Sequence, residues 1–246
     1  MIQPQPWLSF YANYTRSFGA TNGIPLPGSA PLPPERGLQW EGGAKAEFFD
    51  KRLTATVAYY DIFKSGIVQT VQGTQFTTPV GLVESRGVEL DVAGRIDENW
   101  SLIGNYAFDS AHIVADANGP TYLGLGGELG NWLQNVPRHA GSLWVKYEAS
   151  GEYKGLSLGG GVVAVGERQG DNQNDFQLPG YARIDSMVMY RLQPWLIPTS
   201  SGIKNVTFQL NVKNLANTTY YSHALDRFST TPGAPRNFMA SIRVEF

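Results

Sequence analysis

Alternation with a period of two runs through most of this chain. At the C-terminus Phe238, Ala240, Ile242, Val244 and Phe246 alternate with Asn237, Met239, Ser241, Arg243 and Glu245. Val206, Phe208, Leu210 and Val212 alternate with Thr207, Gln209, Asn211 and Lys213, and Val88, Leu90 and Val92 with Glu89, Asp91 and Ala93. Leu38, Trp40, Ala44, Ala46 and Phe48 do the same against Gln39, Glu41, Lys45 and Glu47. Such a pattern marks strands with one apolar and one polar face. No segment carries a 3.6-residue stripe, so the chain reads as all-β.

The pattern predicts ten strands. They run over Trp7–Arg16, Gly37–Phe49, Arg52–Phe63, Gly81–Ile96, Trp100–Ile113, Pro137–Glu148, Gly155–Arg168, Pro179–Leu192, Lys204–Leu215 and Pro235–Phe246. Period two alone does not say which face is inside, because a soluble sandwich also alternates. Three features favour a transmembrane antiparallel barrel. The strands are long, where globular strands average about 5–6 residues and a tilted membrane-spanning strand needs about 9–11. Connections alternate between long (Ser17–Arg36, Lys64–Val80, Val114–Val136, Gln169–Leu178, Ala216–Ala234) and short (Asp50–Lys51, Asp97–Asn99, Ala149–Lys154), with Gln193–Ile203 longer than the rule. Aromatics gather near the strand ends. Trp7, Phe48, Trp100, Tyr147, Tyr190 and Phe246 fall at the short-turn side, and Trp40, Tyr59, Phe108 and Tyr181 nearer the long loops. A closed sheet satisfies its backbone in lipid without helices. The apolar set then faces lipid and the charged set faces the lumen.

Composition excludes several other classes. Charged residues make up 16% of the 246, against about 25% in an ordinary soluble domain. Nineteen Lys+Arg face 21 Asp+Glu with no basic cluster, which argues against a nucleic-acid surface. With no cysteine there are no disulfides, thiolate metal sites or cysteine nucleophiles. No apolar run reaches the length of a membrane helix. Met1 is followed by IQPQPWLSF, which lacks the basic and apolar regions of a signal peptide.

Several segments resemble a known family. The run PPERGLQWEGGAKAEFFDKRLTATVAYYDIFKSGI resembles a barrel hairpin of TonB-dependent siderophore receptors, and ESRGVELDVAGRIDENWSLIGNYAF looks like the next one. NVPRHAGSLWVKYE, LPGYARIDSMVMYRL and FQLNVKNLANTTYY are similar to later strands, and GAPRNFMASIRVEF to the receptor C-terminus. The match runs in family order from Trp7 to Phe246. It implies the last ten strands of a 22-stranded barrel, with long extracellular loops and short periplasmic turns. On this reading residues 1–246 are a C-terminal barrel segment without the plug domain and without a signal peptide. The implied cargo is a ferric siderophore, with no resident cofactor or metal. The implied partners are the TonB complex, acting through the plug region, the barrel-assembly machinery, which reads a C-terminal strand ending in Phe246, and outer-membrane lipid. The implied location is the Gram-negative outer membrane, and nucleic acid has no part.

No residues form a recognisable catalytic pattern. His112, His139 and His223 are scattered, and none sits at metal-ligand spacing. GLGG around Gly126 lacks the strand–helix context of a phosphate loop. Glu89 and Asp91 share a face, where pairing with lumenal Arg or Lys fits better than acid–base work. The loop aromatics carry the functional expectation. Tyr122 and Trp132 lie in one long loop, Phe176 in another, and Tyr220, Tyr221 and Phe228 in a third, with Arg168 and Arg227 beside them. A cup of rings with guanidinium groups suits a bulky, often aromatic and anionic iron chelate. The chain is accordingly expected not to be an enzyme. The alternative is a small self-contained barrel acting as a channel or membrane protease.

Overall fold

The computed structural model describes residues 1–71, 73–117, 127–198 and 202–246. Among them are fifteen strands, eleven of which form a single antiparallel sheet. In chain order the sheet contains β1 (Ile2–Gln5), β2 (Leu8–Gly19), β3 (Glu35–Phe48), β4 (Leu53–Thr70), β5 (Thr77–Arg95), β6 (Trp100–Asp116), β7 (His139–Glu148), β8 (Leu156–Val165), β11 (Tyr181–Arg191), β12 (Asn205–Lys213) and β15 (Asn237–Glu245). Each strand pairs with its neighbour in that order, so the sheet is a meander. Two small hairpins stand apart from it: β9 (Arg168–Gln169) with β10 (Gln177–Leu178), and β13 (Tyr221–Asp226) with β14 (Ser229–Pro232). The end strands β1 and β15 do not pair with each other, so these eleven strands form an open barrel wall.

Register puts the alternating sets on opposite faces. Phe10 pairs with Ala44, Ala44 with Val57, Val57 with Leu90 and Leu90 with Tyr106. Further along the same face Tyr190 pairs with Phe208 and Phe208 with Ile242. This face leaves Trp40, Val57, Tyr59, Leu90, Ile184, Leu210 and Ile242 exposed. A contiguous apolar surface of this kind suits hydrocarbon rather than water. The opposite face carries Glu41, Lys45, Asp91, Asn105, Ser142 and Asp185. There the Arg183 guanidinium grips Asp185 in two parallel bonds of 3.0 Å, and Tyr11 donates to Glu41 at 2.8 Å.

The turns are written in local chemistry. Between β3 and β4, Phe49, Asp50 and Lys51 all take positive φ, which closes the connection at once. Between β5 and β6, Oδ1 of Asp97 accepts the backbone N–H groups of Asn99 at 2.8 Å and Trp100 at 2.7 Å. These bonds hold the Asp97 carboxyl below its ordinary range. Gly94 has φ +147°, and a Cβ there would run into the Arg52 carbonyl.

The sequence reading needs three corrections. The sheet has eleven strands rather than ten, because Ile2–Gln5 pairs with β2 ahead of the first expected strand. The expected long loop Lys64–Val80 is mostly strand: β4 and β5 stay paired up to Thr70 and Thr77. Val80, Val83 and Ile113 form a buried cluster at the long-loop end, with Ile67 and Leu133 packed against it. Finally, the strand expected over Gly155–Arg168 stops at Val165, and Arg168 belongs to the small β9–β10 hairpin.

Candidate functional site

The long connections meet above that buried cluster and lock into one body. Asn172 is buried; its Nδ2 donates to Gln69 Oε1 at 2.8 Å, and its Oδ1 accepts the Gln134 N–H at 2.9 Å. Asn174, at φ +62°, exchanges two bonds of 2.8 Å with the Trp132 backbone. Asn135 does the same with Ala224, at 2.7 and 2.9 Å. Gln134 Nε2 reaches the carbonyls of Gly170, Ala224 and Leu225. The tip of β4, the segment before β7, the β9–β10 hairpin and the β13–β14 hairpin are thereby tied together by short amide side chains.

Glu128 sits inside this network and is fully buried. Its carboxylate accepts from Gln69 at 2.9 and 3.1 Å and from Gln173 at 2.6 Å. No ion pair reaches it among the described residues. Burial pushes its pKa up, and the charges of Asp116 and Asp171 add to the rise.

The residues expected to bind ligand divide into two groups. Arg168, Tyr220 and Trp132 hold the loops together. Arg168 is buried, donates to the carbonyls of Tyr221 and Ser222, and lies over the Tyr181 ring. Burial lowers its pKa. Tyr220 is buried, stacks on Tyr181 at 4.3 Å and accepts from Arg183 at 3.2 Å. Trp132 packs against His112, with ring centroids 3.8 Å apart. Phe176, Tyr221, Arg227 and Phe228 form the second group, nearer the surface. The Arg227 guanidinium lies 5.7 Å from the Phe176 ring and donates to the Asp175 carbonyl at 2.9 Å. Tyr221 is exposed, and Phe228 is 83% exposed. Tyr122 lies outside the described residues. Phe246 is exposed at the short-turn side, and its terminal oxygen accepts from Lys204 at 2.8 Å.

Sequence reasoning missed the amide network and Glu128. A signal was present in the polar run GDNQND, Gly170–Asp175, whose composition fits a loop that bonds to its neighbours. Among the described residues no His/Cys/Asp/Glu group is placed to hold a metal. His139 instead bonds Tyr106 at 2.8 Å, and His112 bonds the Gly130 carbonyl at 3.2 Å.

A sequence profile described as TonB dependent receptor-like, beta-barrel, matches residues 2–215. The chain belongs to the TonB-dependent receptor β-barrel family. Among relatives of this TonB-dependent barrel, the metal-pseudopaline receptor of Pseudomonas aeruginosa is 31% identical over all of this chain and 32% of its own length. The ferrichrome outer membrane transporter/phage receptor of Escherichia coli is 27% identical over 96% of this chain and 30% of its own. The chain thus spans about a third of the curated relatives it matches. Of solved structures, the siderophore receptor PiuA of Acinetobacter baumannii superposes with a TM-score of 0.75 at 24% identity, covering 99% of this chain and 34% of that one. The ferric preacinetobactin receptor BauA of the same species gives 0.76 at 23%, covering 98% and 34%. At these identities the structural likeness establishes the fold alone. It matches the open wall described above to part of a receptor barrel.

Proposed function

We propose that this protein supplies barrel wall and ligand-binding loops to an outer-membrane receptor that imports ferric siderophores. The observation that carries the reading is the locked loop body. Loops from four strand pairs are fixed to one another; Tyr221, Arg227 and Phe228 are exposed on the long-loop side, and the half-buried Phe176 ring packs on Gly170 beneath Arg227. Rings and a guanidinium group on a preorganised support suit a large anionic chelate. Relatives that are receptors for metal-pseudopaline, ferrichrome and ferrioxamine B support a metal-chelate cargo, with ferric siderophores as the class proposed here. Tyr122 belongs to the same proposed set.

In this reading the wall is the C-terminal part of a larger barrel. The unpaired edges of β1 and β15 support that, since bare edges in lipid leave backbone groups without partners. Energy for import reaches the ligand through TonB acting on a plug region. Phe246 marks the strand read by the barrel-assembly machinery, and the protein resides in the Gram-negative outer membrane. The test is equilibrium binding of hydroxamate, catecholate and mixed-ligand ferric siderophores to outer membranes carrying the native gene product. Saturable binding of one class supports the reading, and the absence of binding by all three overturns it.

A further inference from the structure

A cavity of about 100 Å³ opens between the segment ahead of β7 and the β9–β10 hairpin. Trp132, Val136 and Arg138 line it from the first, and Glu167, Arg168 and Gln169 from the second. The loop network does not use all of the polar atoms gathered here. Arg168 is 5% exposed, and its Nη2 alone holds the carbonyls of Tyr221 and Ser222. Its Nη1 is buried and meets no acceptor among the described residues. Gln169 Oε1 is likewise buried and meets no donor among them. Glu167 and Arg138 are exposed, and neither makes an ion pair among the described residues. The Arg138 guanidinium instead lies 4.7 Å from the Trp132 ring, which holds its charge beside the cavity.

Buried polar groups are normally satisfied, and a charged donor without a partner is the costliest exception. Size limits what can meet these atoms. A water takes about 30 Å³ of liquid volume, so the cavity admits a group the size of about three waters and not a whole iron chelate. Charge limits it further. Arg168 Nη1 calls for an oxyanion, and a carboxylate is the planar match to a guanidinium. Gln169 Oε1 calls for a donor, and Glu167 for a cation. A simple carboxylate or a phosphate would answer Arg168 but set negative charge against Glu167. A hydroxy acid would answer Gln169 and leave Glu167 alone. A carboxylate with an ammonium on the adjacent carbon answers all three. We propose that this cavity binds an α-aminocarboxylate group, with Arg168 Nη1 donating to its carboxylate and Gln169 Oε1 and Glu167 accepting from its ammonium. Trp132 and Val136 cover the carbon atoms between, and Arg138 adds a second positive charge. The Tyr181 ring and the two carbonyls fix the Arg168 guanidinium beforehand, which lowers the ordering cost of binding. Two sources carry this chemistry, a free amino acid and the end of an arm on a larger chelate. The proposal stands on the cavity and its atoms, separately from ferric siderophore uptake.

The test is equilibrium binding of labelled L-alanine to the native gene product purified from outer membranes, with propionate and L-lactate as competitors. Propionate lacks only the ammonium of alanine, and lactate carries a hydroxyl in its place. Alanine should bind saturably. Propionate should compete about tenfold less well than unlabelled alanine, the worth of one charge-assisted hydrogen bond, with lactate between the two. Glu167→Gln keeps the shape of an exposed side chain and should leave the fold intact. It should weaken alanine binding about tenfold and narrow the gap between alanine and propionate. Gln169→Leu should also weaken alanine, and thermal transitions on the same samples show that each variant is folded. Competition then reads the source. Ferrioxamine B with a glutamate coupled to its free amine through the side-chain carboxyl carries the α-aminocarboxylate on an arm, and plain ferrioxamine B lacks it. Displacement of alanine by the conjugate alone supports the site as the seat of a chelate arm, and displacement by neither supports it as a free amino-acid site. No saturable alanine binding, which leaves the cavity to water, would overturn the proposal. So would equal competition by propionate, or unchanged alanine binding in the folded Glu167→Gln protein. The alanine probe carries no iron, so its failure is read apart from ferric siderophore binding on the same samples.

Discussion

Arg168 Nη2 lies 2.7 Å from the carbonyl oxygen of Tyr221 and 2.8 Å from that of Ser222. One buried guanidinium in the β9–β10 hairpin therefore fixes the start of the β13–β14 hairpin more than fifty residues away. The loops act as a body because of links of this kind. Replacing Arg168 by Ala should cost about 2 kcal/mol of local stability, the usual worth of hydrogen bonds from a charged donor. Limited proteolysis should then cut within 221–232 while the sheet stays intact. Arg168→Lys should recover part of the loss, since an ammonium can donate to both carbonyls but is not held in place by stacking over the Tyr181 ring.

Glu128 gives the same loop body a pH dependence. Its folded pKa is raised, so its contribution to loop stability is fully present below the ordinary carboxylate range. That contribution is lost as pH rises through the elevated value. Amide hydrogen exchange across 127–136 and 168–178 should therefore be slower in mild acid than at neutral pH, beyond the intrinsic chemical rate. Glu128→Gln should flatten that difference. Asp116 and Asp171 face the same group and push in the same direction.

Phe228 and Arg227 should affect the ligand far more than the fold. Phe228→Ala and Arg227→Ala are each expected to weaken ferric siderophore binding about tenfold, as the loss of a stacked ring or a desolvated guanidinium contact would. The thermal transition of Phe228→Ala should match that of the native protein, and that of Arg227→Ala should fall only slightly, since its bond to the Asp175 carbonyl is exposed. Affinity and unfolding measured on the same membranes separate the two effects.

The Asp97 turn titrates in the opposite direction. Its carboxyl is held below the ordinary range chiefly by the Trp100 N–H, then by that of Asn99. The stability it contributes is present above the unfolded carboxylate pKa and lost as pH falls through the lower folded value. Asp97→Ala should remove this acid sensitivity and raise hydrogen exchange at Asn99 and Trp100.

The barrel wall was legible because a strand face has only two choices. Once Phe208, Leu210 and Val212 alternate with Gln209 and Asn211, register and face follow. β1 was hidden because Gln3, Pro4 and Gln5 carry no apolar alternation, and its strand character comes from pairing with Phe10 and Leu8. The β4–β5 extension was hidden by Gly66 and Pro79, which read as loop punctuation but sit within or beside a shifted register. The loop chemistry was the least legible part. Trp132, Arg168 and Tyr220 read as ligand contacts because rings and arginines recognise chelates, and their role in holding the loops together was not visible in the sequence. The short amides Asn135, Asn172 and Asn174 complete that network, and in the sequence they show only as polar loop residues.

The central claim is most directly tested by uptake in cells deleted for the native gene. Deletion should abolish import of one class of labelled ferric siderophore. The restored gene should return that import only while TonB is functional, and the Arg227→Ala and Phe228→Ala pair should reduce it. Import of every class at the parental rate after deletion, or restored import that persists without TonB, would contradict the account.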